Sequence, residues 1–265
     1  MLRIFKVKTI KKSNFLILLL GVSLVFLLAF YTITGLFSSE QNITRLKTKY
    51  EIRHLGGDDP HKWPAWKLTA AQPLSVEIVN PGIVSKDKIS IIKEAIFSEE
   101  SKQADSSFMQ STTDGSLNQL YKGWKGALVQ AAKHKTTYQI PLGFEITDSD
   151  NQESKITITL TKMKSAEGYA GYTSLMSANN HILKSEITIY NIDGLTNEQL
   201  ATVVRHELGH ALGLSHADEP DDLMHDTVRT PSFISGCDIN AVVAVYNAEK
   251  NIGFECGTPS EHKLA

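Results

Sequence analysis

The stretch HELGHALGLSH, residues 206–216, sets three histidines and a glutamate along a run that the preceding residues mark as helical. Thr196 and Gln199 form a capping-box pair, and Leu200, Val203, Val204, Leu208 and Ala211 then recur at helical spacing, so a buried apolar stripe runs into the stretch. His206 and His210 stand one turn apart, which projects both rings from one face and lets them share an ion at small ordering cost. Glu207 lies roughly 100° further round and can stand beside that ion without binding it. Gly213 permits a sharp exit from the helix, so His216 can return as a third nitrogen donor.

Three protein nitrogens on a tetrahedral ion leave one corner for water, the arrangement of a catalytic rather than a structural zinc. Such an ion lowers the pKa of its water to about 7, and Glu207 is then the base that takes the proton as the water adds to a carbonyl. The same carboxyl can return the proton to a departing amine. A lone histidine on a helix is most often a surface or hydrogen-bonded core residue. Five specified residues at these offsets coincide by chance with a probability on the order of one in ten thousand, which decides for the metal. Three imidazoles favour zinc, while the geometry also admits cobalt or manganese.

At His206, Glu207, His210, Gly213 and His216 the chain matches HExxHxxGxxH and resembles the metzincin clan of zinc endopeptidases, most of all the matrixins, including matrixin-like proteins described from archaea. Leu223-Met224-His225 resembles the Met-turn, in which a methionine lies beneath the metal site and supports the ligands. GYAGYTS, ITIYN and DINAVVAVY occupy matrixin-like places, so the resemblance covers roughly residues 74 to 247 and is strongest from 196 to 225. It implies an α/β (α+β) catalytic domain with a five-stranded mixed twisted sheet, a zinc-site helix and a C-terminal helix. It also implies an antiparallel edge strand bounding the cleft, along which an extended substrate would bind by strand addition. AGYTSLM (170–176) is the candidate for that edge, although its composition suits an inner strand nearly as well. The chain departs from the family in three places. Secreted matrixins carry a propeptide cysteine that blocks the zinc, and here no cysteine precedes Cys237. Ala217 stands where matrixins often have serine, and His225-Asp226 replace the usual residues after the Met-turn methionine. The last two bear on the specificity pocket rather than the metal site.

The 265 residues, with 27 basic and 29 acidic side chains interspersed, suit one domain plus an appendage and give no one-signed surface for nucleic acid. The appendage is N-terminal, where MLRIFKVKTIKK is followed by a run without charge between Lys12 and Glu40. Residues 15–37 would rise roughly 35 Å as a helix, enough to cross a bilayer. The expected organisation is a basic cytoplasmic tail (1–14), a transmembrane anchor (15–37), a polar stalk (38–62), a catalytic domain (63–258) outside the membrane and a short tail (259–265). Secretion after signal cleavage is the alternative. Within the domain, strands are expected at 74–80, 143–147, 155–163, 170–177 and 185–192. Helices are expected at 85–100, from about 117 to 134, through the zinc stretch, and from 237 or 238 to about 246. Cys237 and Cys256 either close a loop worth about 3 kcal/mol in an oxidising compartment or stay buried thiols. His181 and the DSDNQES stretch (148–154) invite a second zinc or a structural calcium, but their spacing supports neither. His225 reads as a surface residue.

The expected function is therefore that of a membrane-anchored, monomeric zinc metalloendopeptidase acting on protein or peptide substrates. His206, His210 and His216 would bind zinc, Glu207 would be base and acid, and Met224 would support the site. The rival is a surface binding protein on the same scaffold without turnover, in which a carboxylate beside the ion has no physical use. Substrate preference is not legible, because loops set the depth of the pocket.

Overall fold

The computed structural model describes residues 44–80, 82, 84–103, 119–147 and 154–248. The expected anchor at 15–37, Cys256 and most of DSDNQES lie outside the described residues. Among the described residues no helix is long and apolar enough to cross a membrane.

In chain order the elements are β1 (Thr44–His54), β2 (Leu74–Val79), α1 (Lys86–Phe97), β3 (Ser101–Gln103), β4 (Gln119–Tyr121), α2 (Trp124–Ala131), β5 (Phe144–Ile146), β6 (Ile156–Leu160), β7 (Gly171–Ala178), β8 (His181–Ile189), α3 (Asn197–Ala211), β9 (Thr227–Thr230) and α4 (Gly236–Tyr246). Seven strands make one mixed sheet in the order β5-β2-β6-β8-β7-β1-β9, and β3 and β4 form a separate two-stranded ribbon. β5, β2, β6 and β8 run parallel, β7 is antiparallel to β8, β1 is parallel to β7, and β9 is antiparallel to β1.

Alternation builds the sheet's inner face: Leu74 and Val76 on β2, Ile156, Ile158 and Leu160 on β6, and Ile187 and Ile189 on β8 are all buried. They share one core with Ile92 and Ile96 of α1 and with Leu200, Val203 and Leu208 of α3. Each such side chain contributes roughly 1.5–3 kcal/mol by leaving water. The capping box read at Thr196 and Gln199 is formed, and a second one, Ser235 with Asp238, starts α4. Two buried indoles fix α3 to its surroundings: the Trp66 Nε1–H donates to Ala211 O at 2.8 Å, and the Trp124 Nε1–H to Arg205 O at 2.7 Å.

Four expectations need correction. The sheet has seven strands rather than five. Residues 44–54, expected as part of a stalk, form β1, so the folded domain begins upstream of Trp63. Leu46, Thr48, Tyr50 and Ile52 alternate with Lys47, Lys49, Glu51 and Arg53, a period of two that the high charge conceals. AGYTSLM falls on β7, which is an inner strand because β1 pairs with its outer side. The helix expected from about 117 to 134 is confined to Trp124–Ala131. Tyr121 upstream is drawn into extended backbone by exchanging hydrogen bonds with Ile234, and Lys133 and His134 tighten the C-terminal end by bonding three residues back.

Candidate active site

α3 places His206 and His210 in a fully buried setting. The His206 Nδ1–H donates to Leu223 O and the His210 Nδ1–H to Leu214 O, each at 2.7 Å. Since a carbonyl can only accept, both rings spend their hydrogen there and carry a lone pair on Nε2. Those two Nε2 atoms face one another at 2.9 Å. His216 joins them through the turn at Gly213, whose φ is +103° and where a Cβ would lie 2.3 Å from Pro64 O, so only glycine fits. The three histidines offer ligand atoms within 4.8 Å of one another.

Burial pushes the His206 ring down to about 3 and that of His210 well below its usual range, and His216 moves the same way. The rings are therefore neutral at pH 7, and no hydrogen lies between the facing nitrogens. Two lone pairs held this close repel unless a cation accepts both. A set of three neutral imidazoles is the donor chemistry that a divalent zinc ion prefers, so these residues fit the metal that the sequence implies.

Glu207 is buried beside them. Its Oε2 accepts from the Thr173 hydroxyl at 2.5 Å, while Oε1 is buried without a hydrogen-bond partner. Gly171 leaves the room that this carboxylate occupies, since a Cβ there would come within 2.2 Å of Oε1. Burial pushes the carboxyl up to about 8, against the Thr173 hydrogen bond. A cation held by the neighbouring imidazoles opposes that rise.

Met224 is buried, its sulfur 2.4 Å from where a Cβ on Gly209 would sit, so it packs against α3 at the turn that carries His210. Its N–H donates to Asp222 Oδ1 at 2.7 Å, and its carbonyl accepts from Ala217 N at 2.9 Å, which ties the Met224 loop to the loop of His216. His225 is half-buried rather than fully exposed and lies outside the triad, with its Nδ1 accepting from Thr227 N at 3.1 Å. His181 is half-buried at the start of β8 and belongs to no ligand cluster among the described residues.

Four residues at the site were not expected from the sequence: Thr48, Tyr50, Gly171 and Thr173. Thr48 Oγ1 lies 2.9 Å from His206 Nε2 and 3.5 Å from His216 Nε2, and its hydroxyl donates to Asp226 O at 2.9 Å. The Tyr50 ring stacks on His210 with centroids 4.2 Å apart and planes 4° from parallel. Both sit on the alternating face of β1, the signal that could have revealed them. Thr173 meets Glu207 across 34 residues of chain, and nothing local in the sequence announces that pairing.

Comparison with known proteins agrees with the geometry. A probable matrix metalloproteinase, 095L, of Invertebrate iridescent virus 3 is 40% identical over 78 residues, which are 29% of this chain and 22% of that protein. The chain thus spans less than a quarter of that relative's length. The crystal structure of myroilysin aligns over 74% of this chain and 90% of its own at a TM-score of 0.38 and 13% identity, a loose likeness. The matrixin family model matches residues 107–247, more than half of the chain. With that match laid over the three converging histidines, the chain belongs to the matrixin family of the metzincins.

Proposed function

We propose that the protein is a zinc-dependent endopeptidase. The observation that carries this reading is the pair of imidazole lone pairs facing each other at 2.9 Å, one residue away from a buried carboxylate with an unpartnered oxygen. His206, His210 and His216 would hold the ion, which when bound supplies Lewis acidity to a peptide carbonyl and to a water. Glu207 takes a proton from that water as its oxygen bonds to the carbonyl carbon, and hands it to the amine nitrogen as the C–N bond breaks. Thr173 holds Oε2 so that Oε1 keeps a fixed aim, and Met224 supports the helix that carries the ligands. The substrate is a protein or peptide. Residues 15–37 would anchor the chain with its catalytic domain outside the membrane, where a Cys237–Cys256 bond could persist; secretion after cleavage is the other arrangement, and carbonate extraction of membranes separates the two.

The test is direct. The full chain, purified in detergent, is assayed for zinc and for cleavage of a mixed-peptide library with and without chelator. Cleavage lost both on chelation and in Glu207→Gln supports an enzyme. Stoichiometric zinc with no peptide cut in any form favours a binding protein on the same scaffold.

A further inference from the structure

The two faces of β1 divide by chemistry. Leu46, Thr48, Tyr50 and Ile52 turn toward the core and the histidines, while Arg45, Lys47, Lys49, Glu51 and Arg53 line the outer face, all exposed except the half-buried Lys49. The cations gather where the strand begins. Arg45 stands directly opposite Arg229 of β9, and Lys47 opposite Thr227. The Lys47 and Lys49 ammonium groups lie 4.7 and 5.9 Å from the centroid of the Tyr169 ring, and Lys49 lies 5.7 Å from that of Tyr172 on β7. Two carboxylates answer these cations: Asp221 accepts from Arg229 at 2.9 Å, and Glu167 lies 3.9 Å from Lys49. Further along the strand, Glu51 accepts from the Tyr172 hydroxyl at 2.8 Å. Among the described residues, Arg45 and Lys47 pair with no carboxylate. Two guanidinium groups set directly opposite across a strand pair repel, and an external anion relieves that repulsion.

We propose that this end of the sheet's outer face docks on the anionic headgroups of the membrane that carries the chain, which turns the inner face, with its histidines, away from the bilayer. This rests on the anchored arrangement proposed above and not on the metal reading.

The tether favours this occupant. Only residues 38–43 separate the expected anchor from Thr44. Fully extended, that length of chain spans at most about 20 Å, so the N-terminal end of β1 stays within short reach of the headgroups. At the effective concentration that such a tether sets, a few contacts suffice. Lysine and arginine supply the attraction, and phosphate oxygens accept from guanidinium in bidentate fashion. Tyrosine rings suit the headgroup level, where one end of the side chain is apolar and the other wet. An acidic protein would meet the same charges, but no tether would hold it here.

The experiment uses the full chain in nanodiscs of phosphatidylcholine alone and of an equal mixture of phosphatidylcholine and phosphatidylserine. Hydroxyl-radical footprinting reads the oxidation rates of Tyr169 and Tyr172, with Tyr138, whose N–H donates to Tyr246 O at the end of α4, as the internal control. In the anionic discs the rates at Tyr169 and Tyr172 are expected to fall by at least about threefold, the level at which docked chains outnumber free ones about two to one. High salt and the double variant Arg45→Glu with Lys47→Glu are expected to restore them. Arg45→Gln with Lys47→Gln repeats the test should charge reversal disturb the fold. Equal rates in the two kinds of disc overturn the proposal, as does protection that survives both double variants or extends equally to Tyr138. Protection by added polyglutamate in neutral discs, with none from phosphatidylserine, overturns it in favour of an acidic protein partner. If carbonate extraction strips the chain from its membranes, the anchor fails and this inference with it, while zinc content and Glu207-dependent cleavage stand as separate tests of the peptidase.

Discussion

α3 and β1 deliver side chains to the same point by opposite means. Eleven of the fifteen residues of α3 are buried, against one of the eleven in β1, so the helix is locked on all sides and the strand on one. Packing fixes His206, Glu207 and His210 to a rigid platform, whereas Thr48 and Tyr50 arrive on a ribbon held chiefly by main-chain hydrogen bonds. The side chains that converge on this point are thus fixed by packing on one element and by strand pairing on the other.

The largest effect expected is on the helix. Glu207→Gln keeps shape and zinc content but removes the proton acceptor, and kcat/KM should fall by roughly 10²–10⁴; a variant retaining near-normal turnover breaks the assignment of Glu207. Next comes the contrast in stability. Leu208→Ala should cost about 2–5 kcal/mol in denaturant unfolding, as expected for a buried core leucine, while Ile52→Ala on β1 should cost under about 1 kcal/mol. Comparable losses would mean that the strand is as firmly built in as the helix.

A smaller effect lies where the two regions meet. Gly171→Ala on β7 puts a methyl within 2.2 Å of Glu207 Oε1, and the carboxylate must give way. Displacement on the ångström scale should lower kcat by about 10² with little change in KM. Thr173→Val, which deletes the hydrogen bond to Oε2, should act in the same direction and more weakly.

The smallest effect concerns pH. Asp222, which accepts from Met224 N, and Asp238, the capping-box partner of Ser235 in the first turn of α4, form a buried acidic pair, with Glu219 and His225 also acting on Asp222. Burial pushes both carboxyls up, Asp238 the further, with Asp222 adding to its rise. The folded protein keeps protons that the unfolded chain has already released, so stability falls as pH climbs from the ordinary value of 3.8 toward the raised ones. Asp222→Asn preserves the acceptor for Met224 N and removes one charge. It should raise Tm at neutral pH by about 2–4 °C and flatten the decline; an unchanged slope would show that the pair is not the source.

What could be read from the residues alone follows the same division. The histidines, glutamate and glycine of 206–216 are legible because one helical turn brings ligands together locally, and α3 then forms with the cap that Thr196 and Gln199 announce. Met224 is legible only through resemblance; the structure packs its sulfur against α3 at Gly209. β1 was misread because lysines and arginines on its outer face dominate its composition, although the inner face keeps a period of two. Partners that meet across the sheet, such as Thr48 with His206 over 158 residues, leave no local trace. Their pairing is decided by sheet order, which in turn depends on β1 being recognised as a strand at all.

The measurement that bears most directly on the central claim is anomalous diffraction at the zinc edge from crystals of the full chain. A single strong peak between the Nε2 atoms of His206, His210 and His216 is the result expected. No peak there, with the rings still facing one another, would contradict the account of this site as a metal centre.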